Sequence, residues 1–216
     1  MDNNYIFQYW EAIQNGTVTV GKWIKTIYEI LVNGLKSGKW DFDEEKANKA
    51  INFIENFCHH SEGRNDLLKL ELWQKAIVSA IFGIMDKRTG YRQFREVFIV
   101  VARKNGKTLF AAAIAAYMAY IDGEYGAKVY FLAPKLDQAD LVYDAFYQIV
   151  QADDELDSIT KKRRSDIYIK EFNTSVKKIA FNSKKSDGFN PQMVVNDEME
   201  AWQGDQGLKQ YEVCLL

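Results

Sequence analysis

The chain has 216 residues, of which 47% are hydrophobic and 27% are charged, and its net charge is −2. This composition is typical of a globular protein with enough chain to bury one core and carry an added helical subdomain. The near-neutral charge excludes an overall basic field, so any contact with nucleic acid must come from a local patch. Cys58 and Cys214 lack paired spacing, which gives no sign of a disulfide framework or a zinc ribbon.

The part of the chain before Gly90 shows helical periodicity. Asp43 is a predicted N-cap for a helix whose apolar positions lie on one face, namely Ala47, Ala50, Ile51, Ile54 and Phe57. A second amphipathic helix is predicted over 70–84, with the inward positions Leu72, Ala76, Ile77, Ala80, Ile81 and Ile84. We expect residues 1–66 to form a helical lead-in subdomain.

Beyond Gly90, apolar runs of strand length alternate with helical spacing. The predicted strands are 96–101, 128–133, 167–169, 176–181 and 193–196, of which 167–169 and 176–181 are weaker and can form a hairpin-like pair. Helices are predicted over 109–121 and 136–150, and another is predicted to begin near 207. The apolar run 109–121 is too short to span a bilayer. This alternation favours an α/β fold in which helices cover both faces of a parallel sheet.

The segment 101–108 has the context of a phosphate-binding loop, because it lies between a predicted buried strand and an apolar helix. Gly106 lets the backbone approach phosphate oxygens, Lys107 can reach the β- and γ-phosphates, and the Thr108 hydroxyl can ligate Mg²⁺. Val101 stands where the usual pattern has a glycine. The alternative interpretation is a basic, solvated turn.

An acidic pair follows the last predicted strand. Asp197 is assigned to the Mg²⁺ ion and Glu198 to the general base that accepts a proton from the attacking water. Alternation along a strand points the two carboxylates in different directions, as two distinct roles require. The alternative is a polar strand end that enters a loop. Glu200 falls beyond the strand and is a poorer candidate for the base.

These segments together resemble the large subunit of phage terminases. Arg103-Lys104-Asn105-Gly106-Lys107-Thr108 resembles the variant phosphate loop of that family, which often lacks the first glycine and carries an arginine. Leu72-Trp73-Gln74 is similar to its adenine-recognition segment, and the stretch 186–198 resembles its approach to the acidic strand. The resemblance implies an ASCE-like P-loop NTPase, with a mostly parallel central sheet flanked by helices and a helical subdomain before it.

The same resemblance implies roles for individual residues. Gln74 contacts adenine, and the loop Arg103-Lys104-Asn105-Gly106-Lys107-Thr108 binds the nucleotide. Arg103 stabilises charge on the γ-phosphate, and Lys107 and Glu198 complete the catalytic set. ATP and Mg²⁺ are the implied cofactors. Arg163 and Arg164 are candidates for an arginine finger given to a neighbouring subunit, although such a run is also typical of a solvated charge cluster.

The implied function is an ATPase motor domain, over 67–216, that drives viral DNA into the procapsid. The implied partners are double-stranded viral DNA, the portal protein, the terminase small subunit and further copies in a ring, with no membrane. The expected location is the host cytoplasm, transiently at the portal vertex. The family's coupling motif and nuclease domain are expected to lie outside this chain. Two alternatives remain: an assembly module that binds nucleotide but is inactive in isolation, and another helicase-like P-loop ATPase.

Overall fold

The structure is a computed structural model. It describes residues 4–60, 63–133, 136–180, 191–197 and 199. Within these residues, no helix is long and apolar enough to cross a membrane.

The chain divides into two compact units. The first unit comprises Met1–Asn56 and Leu68–Val100, and the second comprises Phe57–Leu67 and Val101–Leu216. The first unit is mostly helical, and its two short strands pair in an antiparallel manner. Its elements are α1 (Tyr5–Gln14), α2 (Lys22–Lys36), β1 (Asp41–Phe42), α3 (Glu44–Phe57, which ends one residue into the second unit), α4 (Leu72–Gly83) and β2 (Ile84–Met85). The predicted boundary between residues 66 and 67 stays a prediction.

Side-chain caps fix where the helices of the first unit begin. The Asn4 side chain accepts a hydrogen bond from Ile6 N at 3.0 Å, which starts α1. Asp43 accepts from Lys46 N at 3.0 Å, so its predicted capping of α3 is confirmed. The helices then bury one apolar cluster, whose fully buried members are Ile6, Tyr9, Tyr28, Leu31, Val32, Trp40, Ala76 and Ile84.

Gly34 makes a close contact in this cluster. A Cβ atom built at Gly34 would lie 2.4 Å from Cζ3 of the buried Trp40 ring. We expect Gly34→Ala to lower the free energy of unfolding by about 1–2 kcal/mol, because the overlap outweighs the roughly 1 kcal/mol gain in helix propensity. Chemical denaturation measures the change. Asn33→Ala, at the neighbouring exposed position of α2, is the control, and equal stability of the two variants would contradict the steric argument.

The second unit contains a five-stranded sheet with the order β4-β5-β6-β3-β7. Its elements are α5 (Lys107–Tyr120), β3 (Lys128–Ala133), α6 (Leu136–Ala152), α7 (Asp154–Ile159), β4 (Thr160–Lys162), β5 (Ile167–Ile169), β6 (Thr174–Ala180) and β7 (Met193–Asn196). Strand β3 pairs in parallel with both β6 and β7, whereas β5 pairs in an antiparallel manner with β4 and β6. The predicted α/β fold with a helix-flanked sheet is confirmed. The described sheet is parallel around β3 and antiparallel toward β4, so it is mixed rather than mostly parallel.

Helices α5 and α6 pack on one another and on the central strands. Phe131 of β3 meets Tyr143 and Phe146 of α6, with ring centroids 6.3 and 5.9 Å away. The Tyr120 hydroxyl at the end of α5 lies 2.6 Å from the Thr160 hydroxyl of β4. Burial of these aromatic side chains holds α6 and the C-terminal end of α5 against the sheet.

The predicted strand over 96–101 is wrong. This segment has no strand structure, and the side chains of 96–100 are exposed, with Val100 97% exposed. A strand exists only when a neighbour satisfies its backbone groups. None of the described strands pairs with this segment. An apolar run supplies the side chains of a strand, but it does not supply that partner.

The other predicted elements in the described part of the chain are confirmed; β3, β5 and β7 have the predicted ends, whereas the ends of the helices and of β6 shift. The helices predicted at 109–121 and 136–150 are α5 and α6, and the strands at 128–133 and 193–196 are β3 and β7. The buried face of α4 differs from the prediction, because Val78, Ser79 and Phe82 are buried while Ile77 and Ile81 are only half-buried. The helix predicted near 207 lies outside the described residues.

Candidate functional site

The loop before α5 turns sharply and is exposed to solvent. Lys104 has φ 65° and Gly106 has φ 69°, so both residues occupy the left-handed region. Glycine adopts this conformation at no steric cost, whereas a lysine there costs about 1 kcal/mol. Arg103 and Asn105 are also exposed. The loop therefore presents its backbone and its cationic side chains to solvent.

Asn105 braces this loop from within. Its Nδ2 group donates to the backbone oxygens of Ala102 and Arg103, at 3.1 and 3.2 Å. Short polar side chains commonly stabilise turns through such local bonds to the backbone. The shape of the loop is therefore set by its own residues.

The loop leads directly into the N-terminus of α5. Gly106 is the N-cap residue, and its carbonyl accepts the first helical bond from Phe110 N at 2.9 Å. The N–H groups of the first turn point out of the helix and carry the positive end of its dipole. Thr108 lies in this turn and is half-buried. Such a helix end favours an anion such as phosphate.

The end of β7 brings a carboxylate to the same place. The Asp197 backbone N–H donates to Leu132 O of β3 at 3.2 Å, which holds the residue at the carboxyl edge of the parallel strands. Its Oδ1 atom lies 3.3 Å from Nζ of Lys107. The side chains of Lys107 and Asp197 are 38% and 15% exposed. The structure thus joins the two separate sequence motifs in one ion pair.

The donor chemistry here fits a nucleotide with a hard cation. Thr108 and Asp197 offer hydroxyl and carboxylate oxygens, the ligand types that Mg²⁺ prefers. Within the described residues, no group of three His, Cys, Asp or Glu side chains is placed to hold a metal ion. A site with one or two protein ligands is typical of Mg²⁺ bound together with phosphates. Glu198, the predicted base, lies outside the described residues.

Gln74 lies in the first turn of α4, in the first unit. Its Oε1 atom accepts a hydrogen bond from the Glu71 backbone N–H at 2.8 Å, and the Glu71 side chain caps the helix in return. This reciprocal capping box fixes the side chain of Gln74. The amide nitrogen of Gln74 is then the group left for reading a ligand.

The two candidate finger arginines differ in their surroundings. Arg163 Nε donates to Asp166 Oδ1 at 2.7 Å, and its guanidinium stacks on the Tyr168 ring at 3.9 Å. The hydrogen bond from Arg163 is the main reason that the pKa of Asp166 lies below its usual value. Arg164 is exposed and forms no ion pair among the described residues. Only Arg164 therefore presents its guanidinium without breaking a local pair.

Sequence reasoning missed two of these contacts. The brace by Asn105 and the pairing of Arg163 with Asp166 both join residues three positions apart across a turn. An arginine and an aspartate at this spacing, just before the predicted strand at 167–169, are the available signal. The pair is typical of a tight hairpin connection, which places the two residues opposite one another.

Although 96–101 is not a strand, the left-handed turn, the N-terminus of α5 and the carboxylate at the end of β7 define the class as a P-loop nucleotide-binding protein. A sequence model of the family described as "Terminase large subunit, ATPase domain" matches residues 72–215. This match covers more than half of the chain, so the chain belongs to the family of ATPase domains of terminase large subunits. A nucleotide is therefore its substrate class. None of the curated proteins matches the chain.

A solved structure supports the fold. The crystal structure of the HK97 bacteriophage large terminase is 24% identical to this chain, with a TM-score of 0.63. The match covers 74% of this chain and 32% of that chain. The chain thus spans about a third of the length of that terminase.

Proposed function

We propose that the chain is the ATP-hydrolysing motor domain of a phage terminase large subunit, which drives double-stranded viral DNA into the procapsid. The ion pair between Lys107 and Asp197 is the observation that carries this proposal, because it joins a phosphate-binding lysine to a metal-binding carboxylate. The family assignment favours this function over a helicase-like one.

In the proposed site each residue has one task. Gly106 and the first turn of α5 hold phosphate oxygens through backbone N–H groups, and Lys107 contacts the β- and γ-phosphates. Thr108 and Asp197 hold Mg²⁺, which when bound supplies electrostatic stabilisation of the phosphate charge. Glu198 orients the attacking water and accepts its proton.

Four further residues complete the proposed site. Arg103 places positive charge near the γ-phosphate, where it stabilises the transferring phosphoryl group. The Asn105 brace keeps the loop in shape, and Lys104 adds positive charge at its tip. On the first unit, Gln74 recognises the adenine through its amide group. These roles extend the family assignment to individual side chains.

Further copies of the chain form a ring in the assembled motor, and Arg164 acts on the site of a neighbouring copy. Arg164 is exposed, whereas Arg163 is already hydrogen-bonded to Asp166, and this difference supports Arg164 over Arg163. The portal protein and the terminase small subunit are the other proposed partners. The motor works in the cytoplasm of the infected host and docks transiently at the portal vertex.

Removal of Mg²⁺ tests the proposed site directly. We expect a chelator to reduce steady-state ATP hydrolysis at least a hundredfold, because the phosphate charge loses its main counter-ion. Restoring Mg²⁺ should restore hydrolysis, and Ca²⁺ at the same concentration is the control for ionic strength. Turnover that persists in the chelator would contradict the proposed metal site.

Arg164 is tested by measuring phosphate release at several protein concentrations. A residue that acts on the site of a neighbouring copy makes the activity rise faster than the protein concentration.

A further inference from the structure

One face of the sheet carries lysines near the β4 edge. The strand registers place Lys161 opposite Tyr168, Tyr168 opposite Ser175, and Ser175 opposite Lys128. Paired residues on neighbouring strands point to the same face, and so do residues two apart on one strand, which adds Lys177. We call this set, Lys128, Lys161 and Lys177, the lysine face. Lys128 and Lys161 are exposed, and Lys177 is half-buried.

The basic residues of the opposite face are already engaged by α6. Lys178 pairs with Asp140 and lies 5.4 Å from the centroid of the Tyr143 ring. Lys162 lies 4.0 Å from the centroid of the Tyr147 ring. These two lysines therefore contribute to packing inside the unit. The lysine face has no corresponding contacts with α6.

The acidic residue on the lysine face is already compensated. Asp166 is 2% exposed, and its Oδ2 atom accepts a hydrogen bond from the Ser175 hydroxyl at 2.8 Å. Arg163 forms the ion pair with this carboxylate. None of the three lysines forms an ion pair with a described residue. Asp166 interacts electrostatically with Lys177 as well, so Lys128 and Lys161 carry most of the positive charge that the described residues leave uncompensated.

We propose that the lysine face contacts the phosphate backbone of double-stranded DNA, an inference that rests on the proposed function. The distance from the strand of Lys161 to the strand of Lys128 is three strand spacings, or roughly 14 Å. That separation is similar to the width of the major groove, about 12 Å, so the lysines can meet phosphates on both sides of a groove.

The residue types favour DNA over an acidic protein. Lysine is depleted in protein–protein interfaces, whereas it is a common partner of phosphates. Contacts with phosphates carry no sequence information, so a motor that uses them can move along any sequence. Because the whole chain is close to neutral, such contacts need a local basic surface, and the lysine face is one.

The test is the triple variant Lys128→Gln/Lys161→Gln/Lys177→Gln of the full chain. Its affinity for a short random-sequence DNA duplex is measured at several salt concentrations. Each phosphate contact contributes about 0.9 to the slope of log affinity against log salt, so we expect the slope to fall by about 2.7. At low salt the affinity should fall at least about tenfold. The control variant is Lys25→Gln/Lys49→Gln/Arg95→Gln, at exposed positions of the first unit.

An unchanged slope in the triple variant, or an equal loss in the control variant, would overturn the inference. Polyglutamate that competes as well as DNA would overturn it in favour of an acidic protein partner. ATP turnover without DNA separates the two proposals, because none of the three lysines belongs to the nucleotide site. Intact turnover with no DNA binding contradicts only the DNA surface. Lysine-dependent DNA binding without turnover supports that surface and contradicts the proposed motor activity.

Discussion

Lys107→Ala should reduce steady-state ATP hydrolysis at least a hundredfold and weaken ATP binding. The lysine lies in the first turn of α5 and pairs with Asp197, so in the proposed site its ammonium group is the cation placed nearest the metal-binding carboxylate. Removing one positioned donor to a developing anion costs about 3–4 kcal/mol in related sites. Phosphate release and equilibrium binding of ATP measure the two effects.

The matched control for this substitution is Lys49→Ala. Lys49 is an exposed lysine of α3 in the first unit. It should keep full turnover and full affinity for ATP, because a surface lysine substitution away from a binding site has little effect. Retained turnover in Lys107→Ala would refute the assignment of 101–108 as the phosphate loop.

Glu198→Gln should abolish hydrolysis and leave ATP binding intact. The amide has nearly the shape of the carboxylate but cannot accept the proton of the attacking water. Loss of a general base lowers the rate by a factor of roughly 10² to 10⁴. The phosphate and metal contacts of Lys107, Thr108 and Asp197 remain in this variant. Single-turnover hydrolysis and ATP binding distinguish the two steps.

Glu200→Gln is the control for the base, since this second carboxylate follows the same strand. It should retain turnover. If Glu200→Gln loses hydrolysis and Glu198→Gln keeps it, the base is Glu200. If Lys107→Ala and Glu198→Gln lose ATP binding equally, the separation between binding and catalytic roles is wrong.

Much of the α/β architecture could be predicted because a strand whose two faces are both buried appears in the sequence as a continuous apolar run. Strand β3 is such a run, and its last five residues are buried. The run 97–100 has the same composition, yet it is exposed and irregular. The difference lies in hydrogen-bonding partners, which depend on residues distant in sequence. The antiparallel pair of β5 and β6 matches the hairpin-like pairing predicted for 167–169 and 176–181, whereas β4 has no apolar run and was not predicted.

The residues of the candidate site follow from motifs, but their local contacts do not. The motifs at Lys107 and Asp197 predict two parts of one site, and the structure brings the two side chains within 3.3 Å. The left-handed conformation of Lys104 could not be predicted, because only the closed turn imposes it. The bond from Glu71 N to Gln74 Oε1 likewise depends on where α4 begins.

The ion pair between Lys107 and Asp197 also links the affinities of the site for ATP and for Mg²⁺. In the proposed site, binding of phosphate to Lys107 breaks the ion pair with Asp197, and so does binding of the cation to Asp197. Whichever ligand binds first therefore breaks the pair, and the second ligand binds without that cost. By reciprocity, each ligand then raises the affinity for the other by the same factor. A partly exposed ion pair contributes about 1 kcal/mol, which corresponds to a factor of roughly five. Cooperative binding of ATP and Mg²⁺ is therefore an expected consequence of the proposed site.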